Sequence, residues 1–183
     1  LQMGTAHEFG QNFARAFDIK FTSASGVQEL CYTTSWGSST RMVGGLIMCH
    51  GDDNGLRVPP RLAPIQALVM VVKDGEDVIS AAHKLRDALR DAGVRVGFDD
   101  RTDTPFGRRA VDAELKGYPI RVEVGPRDVT DGRATVVRRV SGTKEPVEFE
   151  TVAPTVLAAL ETDQKALYDE ALTYREAHTI DVS

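Results

Sequence analysis

Two short stretches place residue types where a small charged ligand could be held. "GTAH" at residues 4–7 sets a glycine beside a hydroxyl and an imidazole. Without a Cβ, glycine lets a ligand come close to the backbone. "SWGSSTR" at residues 35–41 ends in Arg41, at the head of an apolar-striped helical pattern. A guanidinium plane in the first turn of such a helix can stack on a base or pair with a phosphate. A solvated helix residue is the competing reading of Arg41.

Nothing else amounts to a catalytic constellation. Ser23, Ser25, Ser35 and Ser38 have no base that spacing identifies, and neither G-x-x-x-x-G-K-[ST] nor G-x-G-x-x-G occurs. His7, His50, His83 and His178 lack metal-ligand spacing, so no metal site is expected. His83 lies beside an apolar helical stripe and His50 ends a helix, where an imidazole suits the dipole; both read as structural. Cys31 and Cys49 fit no zinc pattern and form no disulfide framework, which points to a reduced, cytoplasmic setting.

The 183 residues are 42% hydrophobic and 27% charged, a balance that supports a packed core. No apolar run approaches the ~20 residues of a membrane span, and no basic-then-apolar leader is visible. The net charge of −5 argues against a generic polyanion binder. Its distribution is uneven. Residues 101–144 carry ten Lys/Arg against six Asp/Glu, and residues 152–183 carry two against six. A basic face can coexist with an acidic total; a solvated mixed surface gives the same counts.

Three segments must position these residues. The first, 1–61, reads as a helix over Asn12–Phe17, a strand in "DIKFTS", a turn at Ser25-Gly26 and one strand over "QELCYTTSW". A helix follows, with Met42, Leu46 and Cys49 on one stripe and Val43, Ile47 and His50 beside it. Ser38 or Ser39 is its expected N-cap and Gly51 its stop. Gly44-Gly45 in its middle costs stability, which implies close packing against a sheet. Pro59, Pro60 and Pro64 mark an extended linker and a domain boundary near 61–64.

The second segment alternates strand and helix. "IQALVMVV" is a strand buried on both faces. Val78, Ala82, Leu85, Leu89 and Ala92 form a helical stripe closed by Gly93. "VRVGF" is a strand, 108–116 a helix stopped by Gly117, "YPIRVEV" a strand, and "ATVVRRV", "SGTKE" and "PVEFETV" a hairpin. This β-α-β-α-β-β-β order implies a mixed sheet with helices packed on it, able to fold alone. From 152 onward one long helix is expected.

"GTAHEFGQNFARAFDIKF", "TTSWGSSTRMVGGLIMCHGDDNGLRVPPRLAP" and "DDRTDTPFGRRAVDAELKGYPIRVEVGPRD" together resemble the prolyl-tRNA synthetases of the archaeal/eukaryote-like form, in order, from Leu1 to about residue 180. The resemblance implies an α/β fold: the C-terminal part of a class II antiparallel catalytic sheet at 1–61, with the third class II motif in "SWGSSTR". A mixed-sheet anticodon-binding domain follows at 62–161, then a helix at 162–183 leading to a further domain. It implies ATP-dependent activation of proline with Mg²⁺, transfer to tRNA-Pro, a cytoplasmic homodimeric parent and no membrane. By the same match Arg41 stacks on the adenine of ATP, Ser39 lies near the nucleotide, and Trp36 and Gly37 line the proline and adenylate pocket. Gln2, Thr5 and His7 match ligand-contacting residues. Glu114, Arg121, Arg127, Asp128 and Lys144 match anticodon contacts, Glu114 accepting from a guanine edge and Arg121 stacking on or donating to a base. Splayed single-stranded bases are the usual targets of such reading.

Ala6 replaces a serine of the family's Thr-Ser-His cluster, Ala113 replaces a common tryptophan, and Ala110 a common aromatic. A lost indole leaves a cavity or a compensating neighbour. The family's first two motifs are not in this chain, so it reads as a fragment with no activation chemistry of its own. The alternative reading is a stand-alone RNA-binding regulatory module derived from a synthetase.

Overall fold

The structure, a computed structural model, describes residues 1–181. The chain divides into two compact units, one from Leu1 to Met48 and one from Cys49 onward.

The first unit contains β1 (Gly4–Gly10), α1 (Asn12–Phe17), β2 (Lys20–Thr22), β3 (Gln28–Leu30), β4 (Thr33–Ser38) and the start of α2 (Arg41–His50). β1 pairs antiparallel with β4, and β2 with β3 around Gly26, whose φ of 80° suits a residue without Cβ. The stretch expected as one strand over 28–36 is two. Cys31 donates its backbone N–H to Ile19 O at 3.1 Å, which extends the β2–β3 hairpin, and the chain then turns to pair with β1. α2 ends at His50, before Gly51. Ser38 is the last residue of β4, and Ser39 Oγ accepts the Arg41 N–H at a long 3.4 Å. The close packing implied by Gly44-Gly45 is present. Gly45 is the buried residue of α2, and a Cβ there would lie 2.1 Å from Met3 Sδ, in the segment just before β1.

The second unit is built on a five-stranded sheet. In chain order its elements are β5 (Ala67–Val71), α3 (Glu76–Asp91), β6 (Val96–Asp99), α4 (Phe106–Leu115), β7 (Ile120–Val124), α5 (Pro126–Asp131), β8 (Arg133–Arg138), β9 (Lys144–Glu148) and α6 (Val152–Ala177). The strand order is β6-β5-β7-β8-β9, with β5 parallel to β6 and β7, and β8 antiparallel to β7 and β9. One face buries Ala67, Val69, Ile120, Val122, Ala134 and Val136 against α3 and α6. Each large aliphatic so buried contributes ~1.5–3 kcal/mol. The other face carries Leu68 and Met70 under Ala113 of α4, with Phe106 and Tyr118 packed around them.

The short α5 was not expected. Pro126 at its first position and Asp128 two residues on are its signal, since proline there gives up only an N–H that has no helical partner. The proline-rich stretch read as a linker, and the residues before it from Gly51, are part of the second unit. Leu56 and Val58 donate backbone N–H groups to Leu115 O and Gly117 O at 3.1 and 3.2 Å. Arg95 reaches the Ala63 and Pro60 carbonyls at 2.8 Å, and Pro59 and Pro60 are buried.

Candidate functional site

In the first unit, Gln2, Thr5, Gly37, Ser39 and Arg41 line one cleft of about 300 Å³. Strand alternation explains the grouping. Thr5 pairs with Gly37, and its Oγ1 lies 3.7 Å from where a Cβ at 37 would be, so the missing side chain keeps the space open. His7 shares the Thr5 face two residues on but lies outside the cleft, stacked on Phe9 at 5.5 Å between ring centroids. Trp36 pairs with Ala6 on the opposite face of the ribbon and is 83% exposed. The serine-to-alanine change at Ala6 therefore falls on the Trp36 face.

In the second unit, the sheet face beyond α4 is polar. Along β7 the side chains of Arg121 and Glu123 alternate with the buried Ile120, Val122 and Val124. Arg121 lies against Glu123 with Nη2 3.3 Å from Oε1, and Lys144 Nζ, at the start of β9, donates to Glu123 Oε2 at 2.7 Å. Arg121 Nη1 also reaches the Ala110 carbonyl on α4 at 3.5 Å. Glu114 is one helical turn beyond Ala110 and so on the same side of α4. Its carboxylate has no hydrogen-bond or ion-pair partner among the described residues. Arg121, Lys144 and Glu114 thus border one surface.

Arg127 and Asp128 stand apart in role. Asp128 Oδ2 accepts the Gly125 N–H at 2.8 Å, and its Oδ1 accepts from the Thr135 hydroxyl at 3.3 Å, so this carboxylate caps α5. Arg127 is exposed, in the first turn of α5. Ala113 is a core position, 2% exposed, and lines a cleft of about 280 Å³ between α4 and the β5–β6 edge. Its small side chain leaves space there, on the flank of α4 away from Arg121.

Charge pairs lock this unit around the polar face. Arg109, 2% exposed, donates to Val71 O at 2.7 Å, to Thr104 O at 3.1 Å and to Asp99 Oδ1 at 3.2 Å. Burial alone would raise the Asp99 pKa; hydrogen bonds from Arg101 and the charge of Arg109 outweigh it and hold the carboxyl below its usual range. Arg138 pairs with the fully buried Asp163 of α6. Asp52 is held low chiefly by hydrogen bonds from Arg139, and Glu170 by those from Arg57. Arg57 Nε donates to His50 O at 3.0 Å, so the cation at the end of α2 is Arg57. Burial, and then the charge of Arg57, lower the pKa of His50. Among the described residues no group of three or more His, Cys, Asp or Glu side chains could hold a metal ion, and no helix is long and apolar enough to cross a membrane.

Residues 66–160 match the family described as the anticodon binding domain. The chain belongs to this family. Over all 183 residues it is 57% identical to Proline--tRNA ligase 2 of Streptomyces avermitilis and 58% identical to Proline--tRNA ligase of Frankia casuarinae. It spans 39% of the length of each of these relatives. A crystal structure of prolyl-tRNA synthetase from Cryptosporidium parvum, complexed with L-proline and AMP, matches the whole chain with a TM-score of 0.92 at 33% identity, over 40% of that protein. The expected mixed α/β fold is borne out.

In the anticodon-binding domain so defined, sequence reasoning passed over Glu123, the buried partner of both Arg121 and Lys144. Two polar residues at alternate positions of an otherwise apolar strand were its signal. It also passed over Arg109, Arg138, Arg139 and Asp163. Of the ten basic residues counted in 101–144, Arg101, Arg109, Arg121, Arg138, Arg139 and Lys144 pair with buried or half-buried carboxylates, which reduces the outward basic face.

Proposed function

We propose that the chain is part of a proline–tRNA ligase. Its mixed-sheet domain reads the anticodon guanines of tRNA-Pro, and its first unit contributes to the site where ATP, Mg²⁺ and proline meet. The reading rests above all on Arg121 and Lys144 meeting on one polar sheet face, bordered by Glu114, whose carboxylate has no partner among the described residues. Guanine offers acceptors at O6 and N7, which suit an arginine fork, and N–H donors on its Watson–Crick edge, which suit a carboxylate. Arg127 adds positive charge beyond the other end of β7, and Asp128 orders the turn that presents it.

In the first unit, the cleft of Gln2, Thr5, Gly37, Ser39 and Arg41 has the size and polarity for part of a nucleotide. Arg41 stacks on adenine there, and Ser39 and Thr5 supply hydroxyls. His7 and Trp36 act, on this reading, from outside the cleft. Activation of an amino acid depends on holding the α-phosphate in line with a carboxylate and neutralising charge. This chain places few of the groups that needs. Alone, it makes no prolyl-adenylate. The ligase of which it is part is a cytoplasmic homodimer.

The deciding experiment is binding of the chain to the tRNA-Pro anticodon stem-loop, and to the same loop with its guanines replaced by adenine, at one fixed salt concentration. The expected preference for guanine is about tenfold or more, and Arg121→Ala abolishes it. Equal binding to the two loops overturns the anticodon reading. Proline-dependent ATP–pyrophosphate exchange by the chain overturns the proposal that it is inactive alone.

A further inference from the structure

The polar face holds two cations and a single carboxylate between them, and that carboxylate is almost out of solvent. Glu123 is 4% exposed, while Lys144 keeps 59% of its side chain in water. At that depth an unpartnered carboxylate would be costly. Glu123 has two charged partners, one on its own strand and one on β9, two strands away across β8. The consequence for Arg121 is geometric. Of its five N–H groups, Nε and Nη2 each point one at Glu123 Oε1, at 3.4 and 3.3 Å. Nη1 gives one to the Ala110 carbonyl at 3.5 Å. With the side edge of the fork turned to Glu123, the edge left to face outward is the one that Nη1 and Nη2 share. Such a parallel pair of N–H groups suits the adjacent O6 and N7 acceptors of guanine.

We propose that Glu123 is the positioning residue of the anticodon reader: its buried carboxylate occupies the side edge of Arg121, aims the remaining Nη1–Nη2 edge at O6 and N7 of a guanine, and holds Lys144 beside it. The proposal rests on the anticodon reading given above. It adds which edge of the guanidinium faces the base and which residue decides that.

Other contacts do not set the fork as well. Ala110 O, at 3.5 Å, is a single neutral acceptor, whereas Glu123 faces two N–H groups at 3.3 and 3.4 Å and carries a charge. Without the charge on Glu123, the guanidinium can rotate about its terminal torsions, and either edge can face the base. A glutamine at 123 keeps the volume but donates where the carboxylate accepted, so it repels one of the two cations. Discrimination among bases then falls, while attraction to phosphate persists.

The test uses the full chain and synthetic anticodon stem-loops of tRNA-Pro carrying guanine, 7-deazaguanine or adenine at each anticodon guanine in turn, with affinities read by fluorescence anisotropy. The wild-type chain is expected to lose about tenfold in affinity on 7-deazaguanine at one position, where only N7 is removed. In Glu123→Gln that penalty shrinks to about twofold or less, while the affinity for a guanine-free loop, read where the variant is fully folded, stays at the wild-type value. A merely structural Glu123 would instead lower all affinities together with the melting temperature, and that result overturns the proposal. If Glu123→Gln keeps the full guanine preference and Arg121→Ala loses it, the proposal is overturned and the anticodon reading stands. If the wild-type chain binds guanine and adenine loops alike, the reading fails and the proposal falls with it. Should Glu123→Gln not fold, the wild-type comparison decides alone: no loss on 7-deazaguanine, with guanine still preferred to adenine, overturns the aimed edge.

Discussion

Arg139, just past the end of β8, grips Asp52 with both terminal nitrogens, Nη1 at 2.9 Å from Oδ2, across 87 residues of sequence. The same guanidinium donates through Nε to Glu114 O at the end of α4. The carbonyl end of the helix that bears Glu114 is thus tied, through Arg139, to Asp52 in the segment ahead of the prolines. The arginine side chain is 6% exposed and the aspartate 34%.

This asymmetry orders two variants. Asp52→Ala strands a buried positive charge and is expected to destabilise the second unit by about 2–3 kcal/mol, below the ~3–5 kcal/mol of a fully buried pair because Asp52 is partly solvated. Arg139→Met leaves only a half-exposed carboxylate, which water can reach, and costs about half as much. Urea unfolding of the two variants checks the order. The reverse order would mean that packing of the arginine stem, rather than charge, matters at this site.

Gly117 tests the same junction through the backbone. It has a φ of 71°, and a Cβ there would lie 2.3 Å from Leu56 O. Gly132 has nearly the same φ, 69°, with open space around it. Gly132→Ala is expected to cost about 1 kcal/mol, from backbone strain alone. Gly117→Ala adds an overlap with a carbonyl that cannot move without breaking the Leu56 and Val58 bonds, for about 2–4 kcal/mol in all. Equal losses in thermal melts would show that residues 55–58 give way freely.

Gly45 sets helix propensity against packing. Alanine at 45 would favour α2 by about 1 kcal/mol. Its Cβ, however, meets Met3 Sδ at 2.1 Å, and Met3 must then leave the helix surface. Gly45→Ala is expected to speed hydrogen exchange of the β1 amides, and the double variant Met3→Ala/Gly45→Ala to restore most of the protection. An unchanged β1 in the single variant would mean that the thioether moves aside at no cost.

Acidification should weaken the second unit in two stages. His50 has a folded pKa below the ordinary histidine value of about 6.5. The unfolded chain therefore takes up that proton first, and stability falls as pH drops below about 6.5. Asp52 and Glu170 are also held below their ordinary values. Their contribution is complete above about pH 5 and is lost as pH falls through their folded values. Melting temperature against pH should show a shallow fall between pH 7 and 5.5, absent in His50→Gln, and a steeper one below pH 4.5. A flat profile in the wild type down to pH 5.5 would refute the histidine part.

The mixed sheet was legible because its strands carry long apolar runs and its helices clean stripes with glycine stops, as at Gly93 and Gly117. These signals are local. The break at Cys31-Tyr32 was not, because nothing in "QELCYTTSW" says that its halves pair with different partners. At the candidate site, Arg121, Glu114 and Lys144 could be picked out only through resemblance, and their convergence on one surface depends on strand order. Glu123 was visible as an alternation on β7, yet its importance lies in a contact to β9 that no spacing encodes. Arg109 and Asp163 looked like surface charges, since sequence does not tell which charged residue finds a partner inside. Trp36 and Gly37 were read as lining one pocket; as successive residues of β4 they lie on opposite faces of the ribbon, and a one-residue parity decides that.

The proline-bearing stretch from Gly51 to Pro64 separates two kinds of boundary. Residues 66–160 are what the family shares, and they can be recognised without it. What folds is longer at both ends. Cut at residue 62, the domain would lose the counter-charge of Arg139, the partners of the Leu115 and Gly117 carbonyls, and the arginine that ties α6 through Glu170. A gene fusion or an expression clone that respects the inherited edges would therefore deliver a protein with three open wounds. One that starts near Cys49 would deliver a whole one.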